Sequence, residues 1–316
     1  MRISDLSQSD LFERLKHPGL YIRTGPFVLH VQTRLAQIVE GLGLLYRDFP
    51  LAGSDELADF HVGLVSPRSL RGWSRPQVQF YFDGESPFTP LPLNQAFAMF
   101  EWCSNWCISS HANQYLLIHA ATVERNGYAA ILPGPPGCGK STLTAALVSR
   151  GWRLLTDELT LIAPKSNMIV PLARPIALKN NSIQVIRNIV PQTDFGPECR
   201  DTMKGTIVHM RPPTESVLRV DCRALPGWIV FPKFKSNCTV TARPLSKAQT
   251  FMRFAASSFN YTVLGLEGFE VLSKVIDIAD CYDLEYTNLD DAIVWFDSLE
   301  PAEYTTVVKR AYAPSR

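Results

Sequence analysis

Neither sign of charge dominates this chain of 316 residues. Its 31 lysines and arginines meet 30 aspartates and glutamates, and no run of like charge stands out. A nucleic-acid partner, held mainly by phosphate neutralisation, is therefore not expected. Long apolar runs are also missing. Stretches such as Tyr128–Leu132 and Val271–Ile278 fall far short of the ~20 residues that cross a bilayer, so no membrane partner is expected. The opening Met1-Arg2-Ile3-Ser4-Asp5 brings an acid at once, without the apolar core of a signal peptide, and the expectation is a cytoplasmic protein. The cysteines, at 103, 107, 138, 199, 222, 238 and 281, are odd in number and match no disulfide framework. Cys103 and Cys107 stand four apart on a helical pattern without two further ligands, so they read as buried thiols rather than zinc ligands. No Asn-Lys-x-Asp motif occurs, which argues against a guanine-nucleotide switch.

What is present is ordinary globular composition, 46% hydrophobic and 19% charged, in a chain long enough for two domains. In the first hundred residues Leu20–Ile22, Phe27–Val31 and Val78–Phe82 read as strands, and prolines cluster at 67, 76, 87, 90 and 92. A helix begins near Asn94 and runs to about Ser110, with Phe97, Phe100, Trp102 and Trp106 as an apolar stripe best read as core. Residues 1–110 thus form a small N-terminal α+β module of undisclosed role, and 111–316 a second domain.

The second domain is more legible. Tyr115–Glu124 and Tyr128–Leu132 are strands joined through Arg125-Asn126-Gly127, and Asn-Gly is a strong hairpin signal because both turn residues take positive φ. A glycine-rich loop follows, then a helix over Ser141–Arg150 closed by Gly151, then a strand over Arg153–Thr156. Further strands are expected at Leu225–Phe231, Thr239–Ala242 and Tyr282–Tyr286. Helices are expected at Ser246–Phe259, Gly268–Ile278 and, opening on the capping signature Thr287-Asn288-Leu289-Asp290, at the residues up to about Leu299. Val190–Pro213 reads as a long loop carrying Lys204, His209 and Arg211.

Gly134-Pro135-Pro136-Gly137-Cys138-Gly139-Lys140-Ser141 fits G-x-x-x-x-G-K-[ST] at every fixed position, a match expected by chance in about one chain in a hundred of this length. Small residues let successive backbone N–H groups turn towards phosphate oxygens, and the following helix adds a favourable dipole. Gly134, Gly137, Cys138, Gly139, Lys140, Ser141 and Thr142 are the expected nucleotide-binding set, with Lys140 on the β and γ phosphates and Ser141 on Mg²⁺. The strand after the helix ends in Thr156-Asp157-Glu158, placing a carboxylate beside the loop. Asp157 also reads as a turn residue or cap, and that alternative stays open.

The block from Leu117-Ile118-His119-Ala120-Ala121 through the hairpin and the loop to Arg150-Gly151-Trp152-Arg153-Leu154-Leu155-Thr156-Asp157-Glu158 resembles the catalytic domain of the HPr kinase/phosphorylase family, nearest its HPr-kinase-related members. The resemblance implies an α/β fold: a P-loop kinase domain with a mixed sheet and a core like that of PEP carboxykinase. It implies an ATP- and Mg²⁺-dependent serine kinase with Asp157 as the base facing the acceptor hydroxyl. Ser141, Asp157 and Glu158 would hold the metal, and His119 would lie close to the transferred phosphate. Without the resemblance His119 is an ordinary strand histidine. Three departures stand out. Glu158 replaces an Asp, Leu159 replaces a basic residue, and Arg-Gly-Leu-Gly is absent, with Lys204-Gly205-Thr206-Ile207-Val208 the nearest candidate. The first 110 residues also do not read like the family's regulatory domain. Kinase activity is thus better supported than phosphorylase activity.

The expected partner is a protein or peptide acceptor, such as a small carrier or a peptide encoded nearby, and a homo-oligomer is allowed. Arg174, Lys179, Lys204 and Arg211 are candidates to approach the phosphates or the acceptor. Two alternatives remain: a kinase of a small hydroxylated metabolite, and a nucleotide-gated binding protein without catalysis.

Overall fold

Alternation of apolar side chains and turn residues at positive φ account for most of the local structure. The computed structural model describes residues 1–53, 55–67 and 75–301. The first stretch runs α1 (Gln8–Lys16), β1 (Leu20–Thr24), β2 (Phe27–Thr33), α2 (Ala36–Leu45), β3 (Phe60–Val65), β4 (Gln77–Phe82), β5 (Leu91–Pro92) and α3 (Ala96–His111). Next come β6 (Leu116–Arg125), β7 (Tyr128–Pro133), α4 (Lys140–Ser149), β8 (Arg153–Thr156), β9 (Leu159–Ile162) and β10 (Ile169–Val170). A middle stretch holds β11 (Ile176–Lys179), α5 (Asn181–Ile189), β12 (Cys199–Thr202), β13 (Gly205–Met210) and α6 (Thr214–Leu218). The last has β14 (Leu225–Phe234), β15 (Thr241–Pro244), α7 (Lys247–Ala256), α8 (Tyr261–Leu264), α9 (Leu266–Ile278), β16 (Asp280–Tyr286) and α10 (Leu289–Asp297). No described helix is long and apolar enough to cross a membrane.

The chain divides into two units, Met1–His111 with Ala173–Val220, and Ala112–Leu172 with Asp221–Arg316. The sequence expectation kept 111–316 together; residues 302–316 lie outside the described residues, and the segment 173–220 clusters instead with the N-terminal residues. The reason is a buried polar cluster. Arg174 donates to Glu101 at 2.8 Å, to Asn105 at 2.6 Å and to the Tyr46 hydroxyl at 3.1 Å, and Tyr46 in turn donates to Glu101 at 2.7 Å. A buried guanidinium holds its place only with its carboxylate present, so this cluster fixes the allegiance of the segment.

The first unit has a five-stranded sheet, β1-β2-β3-β4-β5, and a three-stranded one, β11-β13-β12. The expected long loop over 190–213 contains β12 and β13, with Asp201 and Gly205 at φ 57° and 82° on either side of their junction. The aromatic stripe of α3 is core and near-core: Phe97 and Phe100 are buried, and Trp106 packs edge-on to Phe82 and Phe88. Cys103 and Cys107 are buried free thiols, each pushed up to about 12, chiefly by burial.

His209 on β13 is buried against Phe97, and burial, with Arg174 and then Lys179 nearby, lowers its pKa from 6.5 to about 3. The folded state keeps this imidazole neutral down to about pH 3, whereas the unfolded chain takes up a proton below 6.5. Its contribution to stability is thus complete above pH 6.5 and falls with pH, by up to about 1.4 kcal/mol per unit, until about pH 3. Denaturant melts of His209→Leu at pH 4, 5 and 7 should show a shallower loss of stability in acid than the parent. Parallel acid slopes would contradict this origin.

The second unit is built on an eight-stranded mixed sheet, β10-β9-β6-β7-β14-β16-β15, with β8 also beside β6. β14 runs parallel to both β7 and β16, while β6 is antiparallel to β7, β8 and β9. The β6–β7 turn has Asn126 and Gly127 at φ 55° and 87°, the conformation that Asn-Gly favours. Ile118, Ala120, Ile131, Ile229 and Phe231 form a core with Phe254 of α7 and Leu272, Val275 and Ile276 of α9. The last helix is capped by Asn288, whose side chain accepts from the Asp290 N–H at 2.8 Å. The expected capping role of Thr287 is not observed, because its hydroxyl donates to the Lys235 carbonyl and accepts from the Cys238 N–H.

Candidate functional site

Strand β7 ends at Pro133 and the chain enters α4 at Lys140, so the glycine-rich loop spans the gap from a buried strand to a helix start. Gly134, Gly137 and Gly139 have φ of 154°, 86° and 102°, which side chains rarely tolerate. A Cβ on Gly134 would stand 2.9 Å from Cys138 Sγ, and one on Gly139 would stand 2.8 Å from the Tyr286 hydroxyl. The loop is thus a closely fitted hollow in which glycine is required twice over. The first helical hydrogen bond runs from Leu143 N–H to Gly139 C=O at 2.9 Å, which leaves the amides of Ser141 and Thr142 ahead of the first acceptor within the helix. Those amides and the helix dipole suit an anion.

Lys140 is 8% exposed, and its ammonium group donates to the carbonyls of Gly134 and Pro135. It therefore curls over the loop that it follows, close to where a phosphate would be cradled. The Ser141 hydroxyl donates to Asp157 Oδ2 at 3.1 Å. This contact follows from the sheet. β8 and β9 both pair with β6, and Asp157 and Glu158 interrupt what would otherwise be one ladder running from Arg153 to Ile162. The interruption turns two half-buried carboxylates out of the ladder beside the strand whose other neighbour, β7, feeds the loop.

His119 is half-buried on β6, paired with Leu159. Extending the β6–β7 register one residue beyond Ala120↔Pro133 sets it across from Gly134. Its ring lies 5.7 Å from that of Phe259, and its N–H donates to the Ser257 carbonyl at 2.7 Å. Ser141 and Asp157 are thus joined directly, and His119 sits at the strand position level with the start of the loop.

Two residues that support the loop escape the motif. The Phe234 N–H donates to the Cys138 carbonyl at 3.2 Å, and Tyr286, 1% exposed, lays its hydroxyl against Gly139. Both end strands that pair in parallel, Phe234 opposite Tyr286, so the margin of the sheet supports the loop. Burial, with Cys138 second, holds the Tyr286 phenol protonated well above its ordinary range. A tyrosine closing a strand pattern is visible in the sequence, but only the register says which loop it meets.

The four basic candidates lie in the first unit. Arg174 is in the Glu101 cluster. Arg211 bonds Asp48 at 2.6 Å and Asp194 at 2.9 Å. Lys204 lies 6.0 Å from the centre of the Trp102 ring. Lys179 sits on β11 opposite Ile207. Arg174 and Arg211 are thus tied by ion pairs within the first unit.

No protein-family model matches the chain, and no curated protein is similar to it in sequence. Among solved structures the chain is similar to the Hpr(Ser) kinase/phosphatase from Coxiella burnetii, at 13% identity over 57% of this chain and 95% of that one, with a TM-score of 0.26.

Proposed function

We propose that residues 134–142 bind the phosphates of ATP and that the second unit transfers a phosphoryl group to a hydroxyl of a protein or peptide acceptor. The observation that carries this reading is the Ser141–Asp157 contact at the foot of a loop shaped by glycines 134, 137 and 139. A serine hydroxyl beside carboxylates is a hard oxygen donor set that fits Mg²⁺. No group of three or more His, Cys, Asp or Glu side chains able to hold a metal exists among the described residues. Ser141, Asp157 and Glu158 would hold a Mg²⁺ ion whose shell is completed by phosphate and water. When bound, Mg-ATP supplies the electrophilic phosphoryl group, and its metal neutralises charge on the transferring oxygens.

The chain's own residues then have separable tasks. Lys140 exchanges loop carbonyls for phosphate oxygens, a charge-assisted bond that fixes the phosphoryl group. Asp157 receives the acceptor's proton on its carboxylate. His119, level with Gly134, donates to the transferring group. The serine specificity and the protein nature of the acceptor rest on the resemblance of residues 117–158 to HPr-kinase-related proteins. Incubation with labelled ATP, Mg²⁺ and the proteins encoded beside its gene tests the reading. Absence of both Mg-ATP binding and label transfer would overturn it.

Forward transfer should far outpace phosphorolysis of the phosphorylated acceptor. The reverse reaction must hold inorganic phosphate in line with a phosphoserine, and crowded anions need added cations. The position after the acidic pair is Leu159, buried in β9, and Arg174 is bound to Glu101. With purified phosphoacceptor, millimolar phosphate and Mg²⁺, pyrophosphate should be released far more slowly than label is transferred. Comparable rates would refute the argument.

A further inference from the structure

One face of the five-stranded sheet in the first unit carries a cleft of about 1000 Å³. Its floor exists because Gly63 on β3 raises no side chain between Gln32 on β2 and Tyr81 on β4, its partners in register. One wall is held by Gln32, whose amide donates to the Lys16 carbonyl at 3.3 Å. Lys16, Arg34, His30 and His61 contribute to the lining, and no aspartate or glutamate does among the described residues. Lys16 is tied to Glu13 at 3.1 Å, whereas Arg34, on the exposed turn after β2, has no ion pair among the described residues.

The two histidines are adjacent in register, and their Nδ1 atoms stand 3.1 Å apart. His30 Nε2 lies 3.1 Å from the Pro18 carbonyl, which only accepts, so this nitrogen carries the proton. Burial lowers the His30 pKa from its ordinary value, the Pro18 hydrogen bond raises it by less, and the neighbouring His61 lowers it further. Neutral His30 then accepts at Nδ1, so His61 donates from its own Nδ1. The remaining ring nitrogen of the pair is His61 Nε2. The chain Pro18–His30–His61 thus orients one exposed imidazole, as an outer hydrogen bond orients a working histidine.

We propose that this cleft binds a small ligand through its anionic group, a phosphate monoester or a carboxylate, held between Arg34 and His61. The volume suits a metabolite or a short side-chain-bearing segment rather than a lone ion. Other titratable or charged groups near the pair are Tyr21, whose ring lies 4.6 Å from that of His30, Tyr81, and Asp83, whose N–H donates to the His61 carbonyl at 3.0 Å. The proposal is independent of the kinase reading.

The test uses the full chain with Lys140→Ala, so that the glycine loop does not compete for phosphate. Imidazole resonances of His30 and His61, assigned with His30→Gln and His61→Gln, are followed while inorganic phosphate, phosphoserine, acetate or sodium chloride is added at matched ionic strength. The expected result is a saturable shift of the His61 resonances and an affinity about tenfold weaker in Arg34→Gln. A response to phosphate and phosphoserine alone identifies a phosphate monoester site, and a response to acetate a carboxylate site. All anions behaving as chloride, or Arg34→Gln binding as the parent does, would overturn the proposal.

Discussion

Asp157→Asn should bind Mg-ATP with nearly the affinity of the parent and transfer phosphoryl groups about two to four orders of magnitude more slowly. The substitution keeps the shape of the side chain, and its Oδ1 can still accept from Ser141, as Asp157 does at 3.1 Å. What disappears is the ionised carboxylate, and with it the acceptor for the substrate's proton. The deficit equals about 3–5 kcal/mol of transition-state stabilisation, too large for loss of one half-buried turn contact. The pH profile separates proton transfer from metal binding. Loss of a base flattens the acid limb of kcat in the variant, whereas loss of a metal ligand raises the Mg²⁺ concentration needed for half-maximal rate. Near-normal transfer by a folded Asp157→Asn protein would assign the residue to the turn.

Lys140→Ala should weaken Mg-ATP binding by about two orders of magnitude or more while the protein stays folded. The ammonium group is the one cation within the glycine loop, and it is held by the Gly134 and Pro135 carbonyls beside the anion cradle. Its removal leaves those carbonyls to water, which reaches them readily because Pro135, Pro136 and Gly137 are exposed. Alanine also suits a helix start, so thermal stability should change little. Calorimetry of ATP binding with Mg²⁺, beside a melt of the same sample, measures both halves. Unchanged affinity would remove the loop from the nucleotide-binding reading.

The hairpin, the glycine loop and α4 were legible because their signals are local. Asn126-Gly127 specifies its own turn, and Gly134, Gly137 and Gly139 announce backbone that only glycine adopts readily. The Ser141–Asp157 contact was half legible: both residues carry their chemistry openly, but their meeting depends on β8 and β9 sharing β6. Tyr286 and Phe234 were not legible as loop supports, since parallel pairing of β14 with β16 joins positions 52 apart, Phe234 with Tyr286 among them. The allegiance of 173–220 was hidden for a related reason. Arg174 reads as a surface cation until Glu101, Asn105 and Tyr46 are seen around it, and no local pattern couples those positions.

The chain crosses between its units three times, and this has a consequence for biosynthesis. Glu101 and Tyr46 leave the ribosome well before Arg174, with all of residues 112–172 made in between. At ~5–20 residues per second that interval lasts about 3–12 s, long compared with helix or hairpin formation. During it the nascent first unit holds a carboxylate whose native site is buried and whose cation does not yet exist. Closing that site early would strand an uncompensated charge. The N-terminal sheet therefore has to stay loosely packed around α3 while the hairpin and glycine loop are already able to form. The first unit is thus complete only once residues 173–220 have been made, and the second only once β14 and β16 have followed them.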